Sequence, residues 1–206
     1  MEMTRPLAVV TPTLDGDVLM SLARADASFT TGQLHRMLPS ASQDGVRRAL
    51  QRLVRQGVVT AERVGNAYSY RLNREHLAAE HVIGLANLMS ALLTRLTARL
   101  EAWDPQPVYA AVFGSAARGG LRLDSDIALL LVRPAAADED SWDEQVQALT
   151  ADVTRWTGND ARALILDEED VVRGEPALQD VLAHGLTVAG RRAWLSKRLR
   201  STPTDA

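Results

Sequence analysis

The chain has 206 residues, 46% of them apolar and 24% charged, with a net charge of −3 and no cysteine. That size and apolar fraction suit one large domain or two small ones with buried cores, and the absence of thiols excludes disulfides, thiolate zinc sites and a cysteine nucleophile. No apolar run approaches the roughly 20 residues of a membrane helix and residues 1–12 lack the apolar core of a signal peptide, so a cytoplasmic protein that does not enter a membrane is expected.

Leu7 to Val10 is a short apolar run before Pro12 and reads as an edge strand. Asp15 to Ala25 follows as a helix with Val18, Leu19 and Leu22 on one face. Thr30 or Thr31 caps a second helix, apolar at Leu34, Met37 and Leu38 and stopped by Pro39. A third runs from Gln43 to Gln56 and ends at Gly57. Val46, Ala49, Leu50, Leu53 and Val54 form its inner stripe, while Asp44, Arg47, Arg48, Gln51, Arg52 and Arg55 face outward. Val58 to Val64 and Ala67 to Leu72 flank Gly65-Asn66, the signature of a β-hairpin. From Leu34 to Arg74 there are eight Arg against two acids, Asp44 and Glu62, which points to a polyanionic partner.

Three helices followed by a hairpin resemble, over residues 13–73, the winged helix-turn-helix domains of bacterial transcriptional regulators. The resemblance implies double-stranded DNA as partner, with the third helix in the major groove through Ser42, Gln43, Arg47, Arg48, Gln51 and Arg52. It lays Arg63, Asn66, Tyr68 and Arg71 of the hairpin along phosphate or the minor groove.

Asn73 to Trp103 has a helical repeat of Leu77, His81, Leu85, Leu88, Leu92, Leu96 and Leu100, widened by Ile83, Met89 and Leu93. A helix this long and apolar packs either on the domains it joins or on its own copy, and the width of the stripe favours a homodimer through residues 77–100. His76 and His81 lie about 140° apart around such a helix and do not make a metal pair.

Asp104-Pro-Gln-Pro107 is a linker. Beyond it Val108 to Phe113 is a strand, Gly114 to Gly120 a turn of small residues, and Ile127 to Val132 a second strand. Gly114 allows close backbone approach to a ligand, and the amides near Ser115 are expected to open a short helix favouring phosphate. Trp142 to Trp156 reads as a helix, Gly158-Asn-Asp160 as a turn and Ala161 to Leu166 as a third strand. Asp167 to Val172 and Pro176 to His184 look helical, Leu186 to Val188 a short strand, and Arg191 to Arg200 a basic helix. The four Trp are expected as core anchors. Glu101 to Asp180 holds seventeen acids and six Arg, so a basic first half joins an acidic second half.

Gly114-Ser115, ten residues and then Asp126 resemble the signature of the minimal nucleotidyltransferases of the DNA polymerase β superfamily. In that family the pattern ends Asp-x-Asp, and here the second position is Ala128. The resemblance covers roughly residues 108–166 and implies a nucleoside triphosphate held at Gly114, Ser115 and Arg118, with Mg²⁺ on Asp126. Two Asp spaced i and i+2 on a strand face one side about 7 Å apart and can share metal; with Ala128 that Mg²⁺ site is weakened or lost, and Asp124 is a makeshift second ligand. The family's third carboxylate falls in register on Arg162, leaving Asp160 and Asp167 beside it as the catalytic candidates with Asp126.

Ala128 has three readings: an enzyme's descendant that now only binds nucleotide, a deliberate silencing, or a register error. The completeness of the surrounding motif favours the first two. The expected architecture is α/β (α+β): a winged helix (1–73), a connecting helix (74–104) and a nucleotidyltransferase-like mixed sheet with flanking helices (105–206). The expected function is a DNA-binding regulator whose C-terminal domain binds a nucleotide. The alternative is an enzyme that moves a nucleoside monophosphate onto a protein hydroxyl, as antitoxin-type members of that family do, or onto a small molecule.

Overall fold

The computed structural model describes residues 1–172 and 175–201. The chain divides into two compact units, Thr4–Leu88 with Glu2, and Met89 onward with Met1 and Met3. Both mix helix and sheet, as the α+β expectation requires.

In the first unit, helices α1 (Leu14–Arg24), α2 (Thr31–Met37) and α3 (Gln43–Arg55) pack around Val18, Leu22, Leu34, Val46 and Leu50. A capping box starts α2: the Thr30 hydroxyl accepts from the Gln33 N–H and the Gln33 side chain accepts from the Thr30 N–H, so two orphan donors are satisfied at once. Ser42 caps α3, accepting from the Gly45 N–H at 3.1 Å. Gly57, at φ +79°, turns the chain out of the helix in a conformation that only glycine adopts cheaply. The hairpin follows as β2 (Val59–Val64) and β3 (Ala67–Leu72), with β1 (Phe29–Thr30) on the far side of β3, giving an antiparallel sheet of order β1-β3-β2.

Two expectations fail here. Leu7 to Val10 is no strand: Pro6–Val9 is a 3₁₀ turn, started by a proline whose fixed φ and missing N–H suit a helical first turn. The helix expected from Asn73 to Trp103 is broken. Asn73 accepts from the Glu75 N–H at 3.2 Å and donates to the Gly57 carbonyl at 2.9 Å, a side-chain turn that competes with helix. Helix α4 (Ala79–Ala86) then ends at Asn87 and α5 (Leu88–Glu101) begins. Leu77 sits in the turn, 94% exposed, while Leu92, Leu96 and Leu100 are buried within their own chain. The broad stripe that argued for a homodimer through residues 77–100 is thereby divided between two helices, with Ile83, Leu85, Leu88, Met89 and Leu93 half-buried.

The second unit is a four-stranded sheet of order β6-β5-β4-β7, formed by β4 (Tyr109–Phe113), β5 (Ile127–Arg133), β6 (Ala161–Asp167) and β7 (Leu186–Gly190). Pairing is antiparallel between β4 and its neighbours β5 and β7, and parallel between β5 and β6, whose crossover is helix α6 (Glu139–Thr157). Tyr109, Ala111, Leu130 and Val132 share one face with Leu164 and Leu166, and bury it against Leu178 and Val181 of α7 (Pro176–His184) and Leu195 of α8 (Arg192–Ser201). Trp103 and Trp142 are buried edge to face, 5.0 Å apart at 86°. Trp194 stacks on Tyr109 at 6.3 Å. Asp167 to Val172 is not helical: after Asp167 the chain makes only a hydrogen-bonded turn, Asp170 N–H to the Asp167 carbonyl at 3.0 Å. Among the described residues no helix is long and apolar enough to cross a membrane.

Candidate functional site

The first candidate is a concave cleft of about 990 Å³ between α3 and the hairpin. Gln43, Arg47, Gln51 and Arg55, spaced four apart along the helix, form one wall; Asn66, Tyr68 and Tyr70 form the other, with Thr30, Thr31 and Gly32 completing the lining. In the free protein Asp44 holds two of the arginines, Arg47 at 2.5 Å and Arg48 at 3.1 Å. The Arg47 hydrogen bond, then the charge of Arg48, keep the Asp44 carboxyl below the usual range.

Of the residues expected to meet DNA, Gln43, Arg47, Gln51, Asn66 and Tyr68 line this cleft. Arg48 is exposed beside it on α3, and Arg71 is exposed on β3. Arg63 donates to the Gly65 carbonyl at 3.3 Å, bracing the hairpin tip. Ser42 is engaged as the α3 cap. The Arg52 guanidinium makes a two-point bond to Asp15 of α1, at 2.7 and 3.1 Å, and so braces one helix against another. Arg55, absent from the expected set, lines the cleft; its place one turn beyond Gln51 on the outward face was the available signal.

The second candidate is at the end of β4. Gly114, at φ +72°, begins a turn in which Arg118 N–H reaches the Gly114 carbonyl at 3.2 Å and Gly120 N–H reaches the Ser115 carbonyl at 2.8 Å. This is a turn rather than the expected short helix. A β-carbon placed on Gly114 would lie 3.8 Å from that of Ala128, so residue 128 faces the turn. Ala128 is paired in register with Arg162 of β6, and the Arg162 guanidinium binds Asp126 at 2.8 Å. The aligned strands therefore bring together the three expected carboxylate positions, occupied here by Asp126, Ala128 and Arg162.

Asp180 of α7, which nothing local in the sequence marks, closes the other side. Its carboxylate accepts from the Gly114 N–H at 3.0 Å and from Arg118 Nη1 at 2.5 Å, and His184 Nδ1 lies 3.1 Å away. Partial burial opposes its ionisation, but the bonds from Arg118, Gly114 and His184 outweigh that and hold the carboxyl below its ordinary range. The loop carrying Asp124 and Asp126 is pinned by buried Asn159, whose amide donates to the carbonyls of Arg122 at 2.8 Å, Leu123 at 3.3 Å and Ser125 at 2.9 Å.

Of the remaining expected ligands, Asp167 lies far from the group, whereas Asp160 and Asp124 border it in the chain. Asp167 is in register with Arg133, seven residues along β5 from Asp126 and therefore about 23 Å away. It makes a bidentate pair with Arg133 at 2.6 and 3.0 Å, which keeps its carboxyl below the usual range. Asp160 is exposed and accepts the Ile127 N–H at 2.8 Å through its main chain. Asp124 is exposed in the turn. No group of three His, Asp or Glu side chains able to hold a metal ion occurs among the described residues. One carboxylate already neutralised by an arginine does not fit Mg²⁺, which is bound through carboxylates and its own waters.

No protein-family model matches the chain, and no curated protein matches it. Two solved structures resemble it. One, of a mutant of the toxin-antitoxin MntA-HpeT, is 17% identical with a TM-score of 0.39; the alignment covers 52% of this chain and 82% of that one. The other, of the toxin-antitoxin with AMP-PNP, is 18% identical with a TM-score of 0.36 and the same coverages.

Proposed function

We propose that the chain is a duplex-DNA-binding regulator whose first unit is a winged helix-turn-helix. The observation that carries this reading is the cleft, in which Arg47, Gln51 and Arg55 of α3 oppose Asn66 and Tyr68 of the hairpin. Arginine offers a two-point donor to guanine and glutamine to adenine, the pairings by which a helix reads base edges in a major groove. Exposed Arg48 and Arg63 flank that surface and exposed Arg71 lies on the outer face of the hairpin, where sequence-independent phosphate contacts would set its orientation.

Gel-shift titration of the full chain against genomic fragments tests the reading. A fragment bound at nanomolar affinity should lose roughly ten- to a hundredfold on Arg47→Ala, with discrimination at one base pair relaxed. Equal affinity for all fragments and for the variant would remove α3 from base readout. Asp44→Ala should act the other way, raising affinity for unrelated fragments, because it removes an acid from the edge of the phosphate-facing surface and frees two arginines.

A second reading, a nucleotidyltransferase of the antitoxin type that has lost transfer, is favoured by the meeting of Asp126, Ala128 and Arg162 against the Gly114 turn. An Asp at 128 restores two carboxylates on paper, but Arg162 is already there to neutralise them. Ala128→Asp alone is therefore expected to bind no Mg²⁺ at millimolar concentration in calorimetry. Ala128→Asp combined with Arg162→Asp, which supplies three carboxylates and removes the competing cation, should bind it. Tight Mg²⁺ binding by the single variant would show that Arg162 does not compete for this position.

A further inference from the structure

We infer that Asp180 is an internal oxyanion, seated where the Gly114 turn would otherwise take a phosphate-type anion, and that this carboxylate keeps the turn closed to pyrophosphate and triphosphates. The inference rests on the Gly114 turn being an oxyanion cradle, and it holds whether or not the first unit binds DNA.

Three donors from two separate elements converge on a single carboxylate: the Gly114 main-chain N–H and the Arg118 guanidinium from the turn, and the His184 ring from α7. A main-chain amide at a left-handed glycine, an arginine and an imidazole form a donor set suited to an oxyanion, since backbone N–H groups in such a turn carry partial positive charge outward and guanidinium matches two oxygens at once. The carboxylate is presented by a helix that is itself anchored, Leu178 and Val181 being fully buried two residues before and one residue after it. Its ion-pair partners lie open: the Arg118 and His184 side chains keep 47% and 53% of their surface, against 25% for Asp180. The cradle is thus accessible from solvent and filled from within.

The same logic holds on the adjacent side of the site, where the Arg162 guanidinium rests on Asp126 in the place of a cation. Both charges a metal-bound triphosphate would bring are already supplied by the chain. A nucleotide would have to displace two ion pairs and regain no carboxylate-bound metal in exchange.

Removing the internal anion should turn the cradle into a site. The test titrates pyrophosphate, without added metal, into wild type, Asp180→Ala and Asp180→Ser by calorimetry, with circular dichroism to confirm folding. In parallel, the wild-type Gly114 amide resonance is followed through the same titration. The expected result is no heat and no Gly114 shift in wild type, and binding at least tenfold tighter in a folded Asp180 variant, abolished again by adding Arg118→Ala. Wild type that binds as tightly as the variants, or whose Gly114 amide moves on titration, overturns the closure while leaving the cradle standing. Folded variants that bind no better than wild type overturn the cradle itself. If neither variant folds, the Gly114 resonance decides: a shift overturns the inference, and its constancy at saturating pyrophosphate supports it.

Discussion

DNA affinity should fall roughly fortyfold when salt is raised from about 50 to about 200 mM. Each phosphate neutralised by an arginine contributes a slope of about −0.9 in log affinity against log salt, so the three guanidiniums proposed to meet phosphate, Arg48, Arg63 and Arg71, give a slope of about −2.7. The slope sorts the residues. Replacing Arg48, Arg63 or Arg71 with alanine should reduce it by about one and weaken every sequence alike, whereas Gln51→Ala should leave it unchanged and alter which sequence is preferred. Arg52→Ala should do neither: bound to Asp15 across α1 and α3, it belongs to the scaffold. Fluorescence anisotropy at four salt concentrations distinguishes these outcomes, and a slope near zero would rule out a polyanion as the ligand of this face.

Trp142→Ala should destabilise the second unit by about 3 to 5 kcal/mol, the usual cost of emptying a fully buried aromatic site. Trp142 has no exposed surface and meets Trp103 edge to face at 5.0 Å, a geometry that contributes about 1 kcal/mol beyond burial. Both indole N–H groups are buried without an acceptor, so hydrogen bonding contributes nothing to that cost. Trp142→Phe therefore removes an unsatisfied donor along with some volume, and should cost much less than the alanine variant. Urea unfolding followed by circular dichroism gives both values. A phenylalanine variant as unstable as the alanine one would mean that the Nε1–H has a partner after all, such as a buried water.

Much of this was legible in the residues because the signals were local. Thr30 and Gln33 stand three apart at a helix start, Gly65-Asn66 lies between alternating strands, and the arginines of α3 fall on the side away from Val46, Leu50 and Leu53. The resemblance put the family's third carboxylate position on Arg162, and the sheet sets Arg162 opposite Ala128. What escaped was non-local or depended on one polar side chain. Asn73 makes a turn with its own backbone and Asn87 ends α4, breaking a repeat whose periodicity alone argued for an unbroken helix. Pro6 makes a 3₁₀ turn of an apolar run that resembled a strand. Asp180 reaches Gly114 across 66 residues, and no spacing rule connects them. Asp167 looked like a neighbour of the site because it is close in sequence to Arg162, but an extended strand carries a residue over 3 Å per step, and five steps placed it beside Arg133.

That long reach from Gly114 to Asp180 also bears on the order in which the protein comes into being. The first unit closes on itself within residues 2–88, so it can fold once that stretch has left the ribosome. The sheet of the second unit cannot: β4 gains one antiparallel neighbour in β5, but the other, β7, is made last, after α7. Until then Tyr109 to Val112, all fully buried in the finished protein, form an open edge with apolar side chains on both faces, a template for pairing with other chains. A nascent or truncated chain ending before Leu186 should therefore carry a folded first unit on an aggregation-prone second one, and a chaperone that shields strand edges would be needed only between the synthesis of β4 and that of β7.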